Sequence, residues 1–112
     1  MKKELARHIL DDFCARMLTE AGEHVRSIYW YGSTARGEAA ADSDIDVLVL
    51  ADTEDRAMRE IAFDISAELS LAFDCVLSVL FMSFSRYAAM KREGRLLVRN
   101  IEREGVVLYG RT

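Results

Sequence analysis

The sequence has no proline and only two cysteines, Cys14 and Cys75, among its 112 residues. Two cysteines are too few for a disulfide framework, and their separation does not match metal-binding spacing, so we expect buried thiols in a cytoplasmic protein. No apolar run approaches the length of a membrane span, and the N-terminus lacks the apolar segment of a signal peptide. Hydrophobic residues make up 51% of the chain, which predicts a single domain over residues 1–112 with a modest core.

Charge is distributed unevenly along the chain. Residues 1–85 carry 8 basic and 16 acidic side chains, whereas residues 86–112 carry 7 basic and 3 acidic ones. An acidic body argues against general nucleic-acid binding. The basic C-terminal segment either contacts a nucleotide or an acidic partner, or forms a solvated helix face with salt bridges.

Hydrophobic periodicity predicts alternating helices and strands. We expect helices over about residues 2–20, 53–71, 83–90 and 96–104, strands over 25–31, 44–50, 74–82 and 106–109, and a short helical turn after residue 32. Thr53 is the predicted N-cap of the second long helix, with Glu54 and Asp55 in its first turn. This order predicts an α/β (α+β) fold in which helices pack on one side of a small sheet.

Two aspartates stand at the start of the second predicted strand. Alternate side chains of a strand share a face, so Asp44 and Asp46 should point the same way. Two carboxylates on one face repel each other unless a cation lies between them, and Mg²⁺ is the natural candidate. The alternative is a surface turn rich in Asp and Ser, which explains Asp42 but not an aspartate inside a strand.

A Gly-Ser pair precedes these aspartates by eleven residues. Gly32 would let the backbone approach a phosphate closely, and the Ser33 hydroxyl would add a donor; the alternative is an ordinary turn between a strand and a helix. Arg36 could contact phosphate or tie the loop to Asp42 or Glu38.

The stretch Gly-Ser-Thr-Ala-Arg-Gly over residues 32–37, followed by Ser-Asp-Ile-Asp over 43–46, resembles the signature of minimal nucleotidyltransferases of the polymerase β superfamily. The resemblance covers roughly residues 25–109. It implies that the sheet is mixed, that Gly32, Ser33, Arg36 and Ser43 belong to a nucleotide-binding site, and that Asp44 and Asp46 are catalytic ligands of two Mg²⁺ ions with ATP as substrate. Ser43 is more simply read as a residue that caps or orients the aspartate turn.

A third catalytic carboxylate is also implied by the resemblance. Asp74 is the only acid in the third predicted strand, so it is the candidate catalytic residue and metal ligand. In many relatives the acid lies nearer the strand centre, at the level of Val76 or Ser78. Asp74 either reaches the metal from the end of the strand or is an exposed residue at the strand start.

The resemblance implies transfer of AMP from ATP to a hydroxyl group. The chain is too short for the second domain with which larger relatives hold the acceptor, and Leu48 and Leu50 share the aspartate face, which suggests that something covers it. We therefore expect the acceptor to be bound by a partner or to be the partner itself. Single-domain proteins of this kind resemble the antitoxin of toxin–antitoxin pairs whose toxin is a helical HEPN protein, and a homo-oligomer is also compatible. The alternatives are a degenerate module that neutralises a HEPN toxin by contact alone, and an enzyme that modifies a small molecule such as an antibiotic.

Overall fold

A computed structural model describes residues 2–38 and 44–110 of the protein. Its elements are α1 (Lys3–Ala21), β1 (Val25–Tyr31), α2 (Ser33–Arg36), β2 (Ile45–Ala51), α3 (Arg56–Ala72), β3 (Leu77–Ser83), α4 (Phe84–Arg92), α5 (Leu96–Glu104) and β4 (Val106–Gly110). This order is the predicted one, because each helix and strand carries apolar residues at the spacing that buries one of its faces.

The four strands form one mixed sheet in the order β3-β2-β1-β4. β1 runs antiparallel to β2 and to β4, whereas β2 and β3 are parallel. β2 is therefore an inner strand, and its run from Val47 to Ala51 is buried. The predicted mixed α/β fold is confirmed.

The larger core lies on the face of the sheet covered by α1 and α3. Phe13 and Met17 of α1 and Ile65 of α3 pack there against Trp30 of β1 and Val47 of β2, and all five side chains are at most 1% exposed. This helix layer is the one that the apolar periodicity of α1 and α3 predicts.

A second, smaller core lies on the opposite face of the sheet. Leu48 and Leu50 of β2 are at most 1% exposed, and they pack against Tyr87 of α4 and against Val98 and Ile101 of α5. Helices therefore lie on both faces of the sheet, whereas the sequence predicted helices on one side only; that prediction holds for the layer formed by α1 and α3. The sequence-based inference that something covers Leu48 and Leu50 is confirmed, and the cover is formed by α4 and α5 of the chain itself.

Two predicted boundaries differ in the structure. The N-cap of α3 is Asp55 rather than Thr53, because the Asp55 carboxylate accepts bonds from the backbone N–H groups of Ala57 at 2.8 Å and Met58 at 3.2 Å. β3 begins at Leu77, so Asp74 lies before the strand, in the turn that follows α3. Its φ of 50° is left-handed, a conformation that aspartate tolerates better than most residues.

The cysteines and the helices bear on the expected setting of the protein. Both thiols are free; Cys14 is buried and Cys75 is partly buried. Burial raises the pKa of the Cys14 thiol to about 12, which makes it unreactive. Among the described residues, no helix is both long and apolar enough to cross a membrane.

Candidate functional site

Asp44 and Asp46 lie where the chain enters β2, which begins one residue later than predicted. Asp44 precedes the strand and is exposed, whereas Asp46 is its second residue and is partly buried. Asp46 stands between Tyr31 on β1 and Ser78 on β3 in the register of the sheet. Burial, and secondly the charge of Asp44, raise the pKa of the Asp46 carboxyl. The two carboxylates therefore act on each other electrostatically, as their spacing requires.

The charge of this pair is not neutralised by the described part of the protein. Within residues 2–38 and 44–110, no lysine, arginine or histidine forms an ion pair with Asp44 or Asp46. Carboxylate oxygens are the ligands that Mg²⁺ prefers, and Mg²⁺ is usually held by one or two carboxylates together with substrate phosphates. Asp44 and Asp46 thus fit a divalent cation that takes its remaining ligands from a nucleotide.

Gly32 packs directly against Asp46. Its φ of 82° lies in the left-handed region, and a Cβ atom added here would collide with Asp46 Oδ2 and lie 3.2 Å from Asp46 Cγ. Only glycine combines this backbone conformation with this close approach. The backbone that was predicted to approach phosphate therefore adjoins the carboxylate that was predicted to bind the metal.

α2 is a single helical turn that begins at Ser33, directly after β1 and Gly32. Thr34 is 1% exposed and Ala35 is 4% exposed. The indole Nε1 of Trp30 donates a buried hydrogen bond of 2.9 Å to Thr34 Oγ1. The inner side of α2 is thus fixed to β1, and Ser33 is the first residue of this turn, directly after Gly32.

Arg36 ends α2 and is held by two carboxylates. Its Nε donates to Glu38 Oε2 at 3.2 Å and its Nη1 donates to Glu104 Oε2 at 3.0 Å. The contact with Glu38 was one of the predicted alternatives, whereas Glu104 was not predicted, because nothing in the sequence relates residues 68 positions apart. Ser43 and Asp42, the other residues predicted near the aspartate turn, lie outside the described residues.

Asp74 does not join the aspartate pair. Among the described residues, no three side chains of His, Cys, Asp or Glu come together as a metal-binding group. The residue of β3 that faces Asp46 is Ser78, which is exposed. The prediction of Asp74 as a strand residue is wrong because the chain is still turning there; its role as a ligand has no geometric support.

The sequence comparisons identify the family of the chain. Residues 15–112 match the family described as "Polymerase beta, Nucleotidyltransferase". Two relatives come from Methanocaldococcus jannaschii. "Putative protein adenylyltransferase MJ1305" is 39% identical over 51 residues, 46% of this chain and 35% of that protein. "Putative protein adenylyltransferase MJ0604" is 26% identical over 100 residues, 89% of this chain and 94% of that protein. The chain thus spans about a third of the length of the first relative and nearly all of the second.

Solved structures share the fold. A toxin–antitoxin complex with AMP-PNP contains a chain that matches with a TM-score of 0.58 at 24% identity, covering 90% of this chain and 73% of that one. A complex of a tri-AMPylated Shewanella oneidensis HEPN toxin with an MNT antitoxin matches with a TM-score of 0.53 at 22% identity, covering 97% and 73%. A structure described as a "putative minimal nucleotidyltransferase" matches with a TM-score of 0.56 at 23% identity, covering 95% of both chains. With the family match over residues 15–112, the chain belongs to the polymerase β-type nucleotidyltransferases.

Proposed function

We propose that the protein is an Mg²⁺-dependent adenylyltransferase that moves AMP from ATP to a hydroxyl group on a helical HEPN-type partner, and that it acts as the antitoxin of such a pair. We place this reaction in the cytoplasm, where ATP is available and the free thiols of Cys14 and Cys75 stay reduced. The proposal combines the family of the chain with the chemistry of its own residues.

The contact between Gly32 and Asp46 carries the proposal. It sets a backbone that can approach phosphate beside an ionisable pair that lacks a cation partner in the described part of the chain. When bound, the metal would supply charge neutralisation at the triphosphate. The residues themselves would orient that triphosphate: Asp44 and Asp46 by holding the cation, Gly32 by leaving space, and Ser33 by donating a hydrogen bond.

The identity of the partner is proposed from the relatives and from what a protein acceptor would itself supply. Both curated relatives are named as protein adenylyltransferases, and one solved neighbour is described as an antitoxin in complex with an AMPylated HEPN toxin. A protein acceptor would bring its own binding surface, so the transferase itself needs only the nucleotide site. The acceptor is therefore proposed to be a side chain hydroxyl of the partner, most simply a tyrosine.

The nucleotide site is tested by replacing both aspartates with asparagine. The double variant Asp44→Asn/Asp46→Asn should lose Mg²⁺-dependent ATP binding in calorimetric titration while keeping its fold by circular dichroism. Asp64→Asn, which removes an exposed carboxylate from α3, is the matched control and should bind as the wild type does. Unchanged Mg-ATP affinity in the double variant would refute the site.

The transfer itself is tested by the intact mass of the partner. Incubation of a HEPN-type protein that binds this one with ATP and Mg²⁺ should add the mass of one or more AMP groups to the HEPN-type protein. That gain should disappear with the Asp44→Asn/Asp46→Asn variant. If the two proteins form no complex and the partner gains no mass, the antitoxin assignment is contradicted.

A second function is favoured by one observation, the hydroxyl of Ser78 opposite Asp46. If activation of the acceptor needs a carboxylate at this position, the protein would neutralise its partner by contact alone. A tight complex without a mass gain would support this reading, and Ser78→Asp should then restore transfer. Transfer by the wild-type protein excludes it.

A further inference from the structure

The charged bridge between Arg36 and Glu104 joins the end of α2 to the end of α5. Arg36 Nη1 donates to Glu104 Oε2 at 3.0 Å, and the other carboxylate oxygen of Glu104 accepts an ion pair from Arg103 at 3.3 Å. The Arg36 and Glu104 side chains are 36% and 31% exposed. Glu38 is the second carboxylate on the same guanidinium, at 3.2 Å.

α2 is fixed on its two sides by different contacts. On the inner side, Ala35 is buried in the core and the indole of Trp30 bonds to Thr34. On the outer side, Arg36 donates a hydrogen bond to Glu104 of α5. A one-turn helix has too few internal hydrogen bonds to hold its own orientation, so these tertiary contacts set its position relative to β2.

We infer that Arg36 is a positioning residue rather than a phosphate ligand, and that Glu104 is its anchor. Two carboxylates already accept bonds from Nε and Nη1 of Arg36, which orients the guanidinium toward Glu38 and α5. Through this bridge α5, which covers Leu48 and Leu50 on the aspartate face, also holds the turn that begins at Gly32. The inference on position stands on the fold alone, and only its consequence for ATP binding rests on the proposed function.

Hydrogen exchange tests the positioning directly. The amides of Arg36, Gly37 and Glu38 bond to carbonyls within this turn, at 3.3, 3.2 and 3.0 Å. Glu104→Gln should make these three amides exchange about 1.4- to five-fold faster, since partly exposed ion pairs contribute about 0.2–1 kcal/mol. The amides of β2 should be unaffected, because the change is local rather than global.

A double-mutant cycle and a matched control complete the test. If the two side chains act through one bridge, Arg36→Gln combined with Glu104→Gln should accelerate exchange less than the product of the single effects. Glu60→Gln removes a carboxylate from another exposed ion pair, that with Arg56 at 3.1 Å, and should leave the three amides unchanged. Equal acceleration by Glu60→Gln, or none by Glu104→Gln, would overturn the inference.

Titration with Mg-ATP separates positioning from phosphate binding. A positioning role predicts that Arg36→Gln and Glu104→Gln weaken the affinity by similar factors. A phosphate ligand would instead make Arg36→Gln the far more damaging change, and that result would overturn the assignment. If the wild-type protein binds no Mg-ATP, the proposed function fails, and the exchange experiment still decides the positioning.

Discussion

Removing the charge of Asp46 should stabilise the protein in the absence of a metal. Burial and the neighbouring Asp44 raise the pKa of Asp46 above its ordinary value of 3.8, so the folded state disfavours the ionised carboxylate. For a carboxyl group shifted in this direction, stability falls as pH rises from the unfolded pKa through the folded pKa. At neutral pH the ionised group therefore destabilises the fold, and Asp46→Asn should relieve that strain.

The size of the effect follows from the geometry of the strand. Asp44 directly precedes β2 and Asp46 is two residues further on, so at the rise of an extended chain the carboxylates are about 7 Å apart. Their repulsion is then about 2.4 kcal/mol at an effective dielectric constant of about 20, and about 0.6 kcal/mol in water. Because Asp44 is exposed, the lower part of this range applies. We expect a gain of about 0.5–1.5 kcal/mol in the free energy of unfolding.

Denaturant unfolding of the metal-free protein measures this gain. Asp46→Asn should exceed the wild type in free energy of unfolding at pH 7, and the difference should shrink as the pH falls through the raised pKa of Asp46. Asp64→Asn, from the exposed face of α3, is the control and should change little. Mg²⁺ should stabilise the wild type more than Asp46→Asn. Destabilisation by Asp46→Asn at pH 7, or a gain that Asp64→Asn matches, would refute the electrostatic argument.

Three further predictions test the elements that build the site. Gly32→Ala should lower the free energy of unfolding in denaturant by about 1–3 kcal/mol and weaken Mg-ATP binding, because its Cβ would meet Asp46 at a left-handed φ. A variant with the stability and the affinity of the wild type would contradict this. Asp55→Ala should lose about 1 kcal/mol of stability with the α3 cap, whereas Thr53→Ala should lose less than half of that by the same assay. Trp30→Phe should leave the Thr34 hydroxyl without its indole partner, which lowers the thermal midpoint and the free energy of unfolding, the latter by about 1–3 kcal/mol. An unchanged midpoint would show that this hydrogen bond does not stabilise α2.

The elements were predictable because their signals are local. The β-branched and aromatic run of residues 25–31 and the apolar spacing of α3 appear in the sequence itself, and burial of one face confirms them. The closeness of Gly32 and Asp46 is local for a similar reason, since these two residues are only fourteen positions apart. The placement of Asp74 in the third strand was wrong because an apolar run does not reveal where the preceding turn ends. The backbone is left-handed at Asp74, and β3 starts three residues later.

Contacts between distant segments could not be predicted. Glu104 meets Arg36 only because α5 crosses beside β1 and ends near α2. The apolar spacing of α4 and α5 shows that each helix buries a face, but not which face of the sheet receives it. That choice decides whether Leu48 and Leu50 are open to a partner or covered by the chain, and here they are covered.

The cover formed by α4 and α5 limits the direction from which an acceptor can reach the aspartates. Leu48 and Leu50 are closed, whereas Asp44 and Ser78 are exposed and Val76, just before the edge strand β3, is 55% exposed. Within residues 2–38 and 44–110, the exposed neighbours of Asp46 thus include Ser78 of β3, and under the proposed function we expect the acceptor to approach across this strand. A large side chain on this path, as in Ser78→Trp, should block transfer to a protein acceptor while Mg-ATP affinity stays within about two-fold, about 0.4 kcal/mol. Unimpaired transfer by Ser78→Trp, measured by the intact mass of the partner, would show that the acceptor arrives from another side.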